Sequence, residues 1–109
     1  MTFEEYESKS SETAKYPNVG NNFVYPTLGL AGETGEVAEK VKKILRDKGG
    51  TVSDKDREEI KKELGDVLWY LSRVSVEMGL SLESVAQSNI EKLSSRLERG
   101  KLGGEGDNR

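Results

Sequence analysis

Three stretches of this chain place apolar side chains at helical spacing, and no stretch of useful length alternates them at the period of two that a half-buried strand needs. Leu30, Val37, Val41 and Ile44, widened by Ala38 and Leu45, form one stripe over Leu28 to about Asp47, where Gly49-Gly50 ends it. A second runs from the N-cap residue Ser53 to Met78, with Ile60, Leu64, Val67, Leu68, Leu71, Val74 and Met78 on one face and Gly79 just beyond. The third follows Ser81 and carries Leu82, Val85, Ala86, Ile90, Leu93 and Leu97 before Gly100. Ahead of them, Thr2-Phe3-Glu4-Glu5 has the spacing of a capping box and predicts a short helix that ends before Pro17. Pro17 to Pro26, with Asn18, Gly20, Asn21 and Asn22 among Val19, Phe23, Val24 and Tyr25, reads as a loop with apolar anchors, suited to covering a pocket. The expected fold is all-α, an antiparallel helical bundle. Residues 1–99 make one domain, with an N-terminal helix and loop (1–26) and core helices (27–99), and residues 100–109 form a Gly-rich tail whose one apolar residue is Leu102.

The stripes are thin. Leu, Ile, Val and Phe number 25 of 109 residues and the mean hydropathy is −0.71, so a chain this polar gains most by burying helix faces against another copy of itself. A homodimer or homotetramer is expected. The absence of Cys and His removes thiol nucleophiles, disulfides, thiolate or imidazole zinc sites and His-based triads, so any chemistry falls to carboxylates, Lys, Arg, hydroxyls and a hard metal ion. A net charge of −3 argues against nucleic-acid polymers as partners, and no signal peptide or membrane-length apolar span is evident, which points to a cytoplasmic protein.

One short pattern occurs twice: Leu30-x-x-Glu33-Thr34-Gly35-Glu36-Val37 and Ile60-x-x-Glu63-Leu64-Gly65-Asp66-Val67. At about 100° per residue each pair of acids lies at the same edge of its apolar stripe. Antiparallel packing along the stripes therefore collects four carboxylates, and the Gly before each second acid allows close approach of a backbone or a ligand. A salt-bridged face would place Lys or Arg four residues after each acid, but Val37, Val67 and Tyr70 stand there, and only Glu36 has such a partner, Lys40. Four acids beside an apolar stripe need compensating positive charge, which a divalent cation supplies. All-oxygen ligation selects Mg²⁺, Mn²⁺ or Ca²⁺, and carboxylates with water and a phosphate ligand favour Mg²⁺.

The segment Leu28-Gly-Leu-Ala-Gly-Glu33-Thr-Gly-Glu36-Val37-Ala-Glu39-Lys-Val and the later Glu63-Leu-Gly-Asp66-Val-Leu-Trp-Tyr70-Leu resemble the paired Glu-x-x-Glu and Glu-x-x-Asp signature of MazG-like nucleoside triphosphate pyrophosphohydrolases. Asn89-Ile-Glu-Lys92-Leu-Ser-Ser-Arg96 is similar to that family's downstream Asn-x-x-Lys-x-x-x-Arg helix, and the ending from Arg99 is similar to short, single-domain bacterial and phage members. The resemblance implies hydrolysis of a (deoxy)nucleoside triphosphate to the monophosphate and pyrophosphate, with metal-activated water attacking the α-phosphorus. It assigns Glu33, Glu36, Glu63 and Asp66 to catalysis and to Mg²⁺, for which Mn²⁺ can substitute. It assigns Asn89, Lys92 and Arg96 to the substrate, and Tyr70 to the position that contacts the nucleotide in related dCTP pyrophosphatases.

Each secondary assignment has a plainer counterpart. Asn89, Lys92 and Arg96 share one helix face, which equally suits a solvated polar stripe. Tyr70 equally suits packing at the bundle edge, and Trp69, roughly opposite Ile60, is expected to be buried by a second subunit. Gly29, Gly32 and Gly35 each cost about 1 kcal/mol against Ala in a helix, so close helix approach or room for a nucleotide must offset them. The tail either folds over the triphosphate, packs on a neighbour or stays flexible. A rival from another class is a non-catalytic helical adaptor, and within enzymology a modified nucleotide or a guanosine polyphosphate is the alternative substrate.

Overall fold

The computed structural model describes residues 1–109 and is all-α: α1 (Phe3–Glu12), α2 (Val24–Lys48), α3 (Asp54–Glu77) and α4 (Leu82–Glu98). Each short-loop N-terminus is fixed by a hydroxyl that accepts from the amide three residues on. Thr2 takes Glu5 N, Ser53 takes Asp56 N and Ser81 takes Ser84 N. At Ser53 the box is closed in both directions, because the Asp56 carboxylate accepts from Ser53 N at 3.0 Å. At Thr2 it is half formed, since Glu5 accepts from the Thr2 hydroxyl and not from its amide. Gly49, at φ 58° in the left-handed region, caps α2 and returns its N–H to Ile44 O.

α2 begins at Val24, earlier than the apolar period predicts, and takes in Pro26. Proline is tolerated in a first turn because its missing N–H has no intrahelical partner there, and Pro26 is fully buried. The Asn22 side chain accepts from Tyr25 N at 3.0 Å and so anchors this start.

α2 and α3 form an antiparallel hairpin, which is the main helix pairing. Its closed end is tied by Lys48 Nζ donating to Asp56 Oδ1 at 2.7 Å. α1 crosses α3 through small polar groups: Ser10 Oγ and Ser72 Oγ lie 3.1 Å apart and both residues are buried. α4 leans on α1 and α3 but does not touch α2. Its buried first residue, Leu82, donates its amide to Glu7 Oε1 at 2.9 Å. No helix is long and apolar enough to cross a membrane.

The result is an open shape. The radius of gyration is 16.8 Å, against about 13 Å for a packed chain of this length. Only Ala14, Tyr16, Ile44 and Leu82 are buried among the apolar core residues outside proline. Leu64 and Met78 of the predicted α3 face are exposed, as are Leu45 of α2 and Ile90, Leu93 and Leu97 of α4. Within one chain, α3 has too few neighbours to cover its whole stripe.

Candidate functional site

The hairpin brings the two acidic motifs face to face. One carboxylate oxygen each from Glu33, Glu63 and Asp66 lies within 4.8 Å of the others, with Glu33 and Glu63 half-buried and Asp66 exposed. Glu36, one turn further along α2, is exposed and outside this trio, and its charge still reaches Glu33. Burial raises the Glu33 carboxyl above its usual range, and the charges of Asp66 and Glu63, a hydrogen bond shared with Glu63 and the Glu36 charge all push the same way. The nearest cation departs from the sequence expectation. Lys40 does not pair with Glu36; it reaches across the hairpin to Glu63 Oε1 at 3.7 Å and Glu59 Oε2 at 4.0 Å. An i,i+4 partner on the same helix loses here to acids on the facing one.

This donor set fits a hard divalent cation. Opposite oxygens around Mg²⁺ at about 2.0–2.1 Å stand about 4.2 Å apart, so a trio spread over at most 4.8 Å closes on an ion by small rotamer adjustments. An ion there would offset the repulsion that raises Glu33.

Tyr70 joins the acids. It follows Asp66 by one turn on α3 and lies against Gly29, which precedes Glu33 by one turn on α2. A Cβ built on Gly29 would stand 2.2 Å from Tyr70 Cε1, so this glycine makes the ring's position possible. Burial raises the Tyr70 hydroxyl, and the neighbouring Tyr25 hydroxyl and the charges of Glu33 and Asp66 raise it further. By contrast Gly32, Gly35 and Gly65 face open space, so the close backbone approach expected at the glycines before the second acids does not occur within the chain.

Two further residues stand near the site: Tyr25, expected as an anchor of a pocket-covering loop and found in the first turn of α2, and Tyr6, which the sequence did not place there. Tyr25 is one turn ahead of Gly29, and the spacing Tyr25-Gly29-Glu33 marks a single face once α2 is known to start at Val24. Tyr6 of α1 is raised first by burial and then by the Asp66 charge, a neighbourhood that only the crossing of α1 over α3 creates. Trp69, half-buried within one chain, meets the end of α1 and the loop that follows it. Its indole N–H donates to Thr13 Oγ1 at 2.8 Å, and its ring meets Tyr16 and Tyr70 edge-on at 6.5 and 5.0 Å.

Asn89, Lys92 and Arg96 are not brought to the acids within one chain. Asn89 is exposed, and the tail folds back so that Asp107 Oδ1 takes Lys92 Nζ at 3.1 Å while its backbone oxygen takes the buried Arg96 Nη2 at 2.7 Å. Arg99 Nη1 donates to the Arg109 backbone oxygen at 2.8 Å and holds the end of the tail to the same helix.

The profile of the MazG nucleotide pyrophosphohydrolase domain matches residues 26–100, which includes both acidic motifs, Tyr70 and the α4 face. The Gene 37 protein of Mycobacterium phage L5 is 45% identical over 109 aligned residues, covering 95% of this chain and 96% of that protein. No solved structure matches the chain. Facing acidic motifs on an antiparallel hairpin and a family match over most of the sequence agree, and the chain belongs to the MazG nucleotide pyrophosphohydrolase family.

Proposed function

We propose that this protein is a Mg²⁺-dependent nucleoside triphosphate pyrophosphohydrolase that converts a (d)NTP to the (d)NMP and pyrophosphate, with Mn²⁺ able to replace Mg²⁺. The observation that carries this reading is the trio Glu33, Glu63 and Asp66, within 4.8 Å of one another and served by one lysine. A helical adaptor has no use for such repulsion, whereas a site for a metal-bound triphosphate does.

Glu33, Glu36, Glu63 and Asp66 would hold the metal, which when bound neutralises phosphate oxygens and lowers the pKa of water. The new bond joins a water oxygen to the α-phosphorus, the bond from that phosphorus to the oxygen bridging to the β-phosphate breaks, pyrophosphate leaves, and one proton is released. A carboxylate of the cluster takes that proton. Tyr70, resting on Gly29 beside the acids, would contact the nucleoside in this reading. Asn89, Lys92 and Arg96 bind phosphate from α4 of a second copy in this reading, since α4 does not touch α2 of its own chain.

That second copy also covers the exposed apolar faces. Burying a leucine contributes about 1.5–3 kcal/mol, and Leu28, Leu45, Leu64, Ile90 and Leu97 are all exposed in one chain. A homodimer or homotetramer working on the cytoplasmic nucleotide pool follows. The test is product analysis with each common dNTP and NTP plus Mg²⁺, for the natural chain and for Glu36→Gln. Monophosphate and pyrophosphate from the natural chain, with loss in the variant, support the assignment; no turnover across the panel, or diphosphate with orthophosphate, overturns it.

A further inference from the structure

We propose that Glu77 is a positioning residue of the nucleotide site, acting at a distance by clamping the loop between α1 and α2 so that Tyr25 stands beside Tyr70 next to the acidic cluster. The inference rests on the functional reading above and adds to it a residue that touches neither the metal cluster nor the phosphates.

Glu77 is the last residue of α3, and its carboxylate gathers three donors from the loop. It accepts from the Tyr16 hydroxyl at 2.7 Å and from Gly20 N at 2.6 Å on Oε1, and from Asn22 N at 3.1 Å on Oε2. These are charge-assisted bonds to a segment with few regular backbone partners of its own. Gly20 reaches the carboxylate with φ +96°, a conformation that a side chain would strain. Burial works to raise the Glu77 carboxyl, but the Gly20 amide, the Tyr16 hydroxyl, the Asn22 amide and the Arg73 charge outweigh it, so it stays ionised and able to accept.

The clamp continues into α2. Asn22, held by its amide, donates from its side chain to Pro17 O at 2.8 Å and accepts from Tyr25 N at 3.0 Å, which sets where the helix starts. Tyr16 is fixed on the other side by Arg73, which is 2% exposed and donates to its hydroxyl at 3.2 and 3.3 Å and to Ser11 Oγ at 2.9 Å. The Tyr16 ring in turn stacks on Tyr25, with centroids 5.1 Å apart and planes 13° from parallel. One carboxylate at the end of α3 thereby orders a path through Tyr16 and Asn22 to Tyr25, one turn from Gly29 and two from Glu33. The far end of that path, unlike Tyr16, is 45% exposed and open to a ligand.

The test uses the full chain and the variants Glu77→Gln, Tyr25→Ala and their combination. Glu77→Gln keeps the size but replaces one acceptor oxygen by a donor, so the Gly20 and Asn22 amides cannot both be served. The expected result is a KM for the preferred dNTP raised about tenfold with kcat within about twofold, as loss of uniform binding produces. The same rise is expected in the Kd of its α,β-imido analogue, with the Mg²⁺-induced gain in Tm unchanged. Because Glu77 acts through Tyr25, the double variant should match Tyr25→Ala alone. Additive effects, a fall in kcat without a change in KM, or loss of the Mg²⁺ gain would each overturn the proposal. Should Glu77→Gln fail to fold, Gly20→Ala strains the same clamp from the loop side and is expected to raise KM likewise; an unchanged KM there overturns it. Emission of the single tryptophan, Trp69, which meets Tyr16, separates the two levels of inference. A red shift in nucleotide-free Glu77→Gln shows that the clamp orders the loop even if no nucleotide is turned over, in which case it is the functional reading that fails and the site role falls with it; no shift overturns the clamp itself.

Discussion

Replacing Asp66 by Asn should make the metal-free protein more stable and the metal-bound protein no more stable than that. Asp66 is exposed, lies within 4.8 Å of carboxylate oxygens on Glu33 and Glu63, and has no lysine or arginine paired with it. Two charges at 4.8 Å repel by about 0.9 kcal/mol in bulk water and about 3.5 kcal/mol at an effective dielectric of about 20. An exposed partner in salt belongs near the first value, so removing two such repulsions contributes about 1–2 kcal/mol. Asn and Asp have nearly equal helix propensity, so the backbone adds little. For a chain of this length each kcal/mol moves Tm by about 4 °C, giving an expected rise of about 4–8 °C without metal. Saturating Mg²⁺ stabilises the natural chain by mass action, and that gain should largely disappear in the variant, whose ligand set is broken. Differential scanning calorimetry in chelator and in Mg²⁺ reads both numbers. A lower metal-free Tm in Asp66→Asn, or an undiminished Mg²⁺ gain, would refute the view that these acids form a strained cluster held for a cation.

Gly29→Ala should destabilise by about 1–3 kcal/mol despite alanine's better helix propensity, because the new methyl overpacks against Tyr70; pairing it with Tyr70→Leu should recover most of the loss in a double-mutant cycle. Asp56 is held at about 2, first by the Lys48 hydrogen bond and then by the Ser53 amide, against the opposing effect of burial. Its folded-state pKa lies below the unfolded value of about 3.9, so its contribution is present above that pH and is lost as pH falls toward about 2. Thermal melts of the natural chain and Asp56→Asn should therefore converge over that window, and parallel curves would speak against it. Sedimentation of the natural chain should give two or four times 12.1 kDa, and Leu97→Glu should lower the mass; a natural chain that runs as a monomer removes the shared-site reading.

Helix caps and acidic motifs were legible because they depend on residues close in sequence. Ser53, Ser81 and Gly49 do what their residue types favour, and the repeated spacing of Glu33-Glu36 and Glu63-Asp66 predicts the meeting of the motifs once the hairpin is assumed. The start of α2 was not legible, because it is fixed by Asn22 and by Glu77, 55 residues away from that asparagine. Lys40 misled for the same reason: cross-hairpin Glu63 outcompetes same-helix Glu36, and one-dimensional spacing cannot rank the two. The partners of Trp69 within the chain were not legible either, because α1 crosses α3 through the small Ser10–Ser72 contact and so brings Thr13 to the indole N–H. Polar small residues at a helix crossing leave no hydrophobic signal to read.

The central claim is attack at the α-phosphorus with the acid cluster intact. Turnover of the preferred dNTP in ¹⁸O-labelled water with Mg²⁺, followed by mass spectrometry of the products, addresses it directly. The account predicts one labelled oxygen in the nucleoside monophosphate and none in pyrophosphate; label in pyrophosphate, or release of labelled orthophosphate, would contradict it.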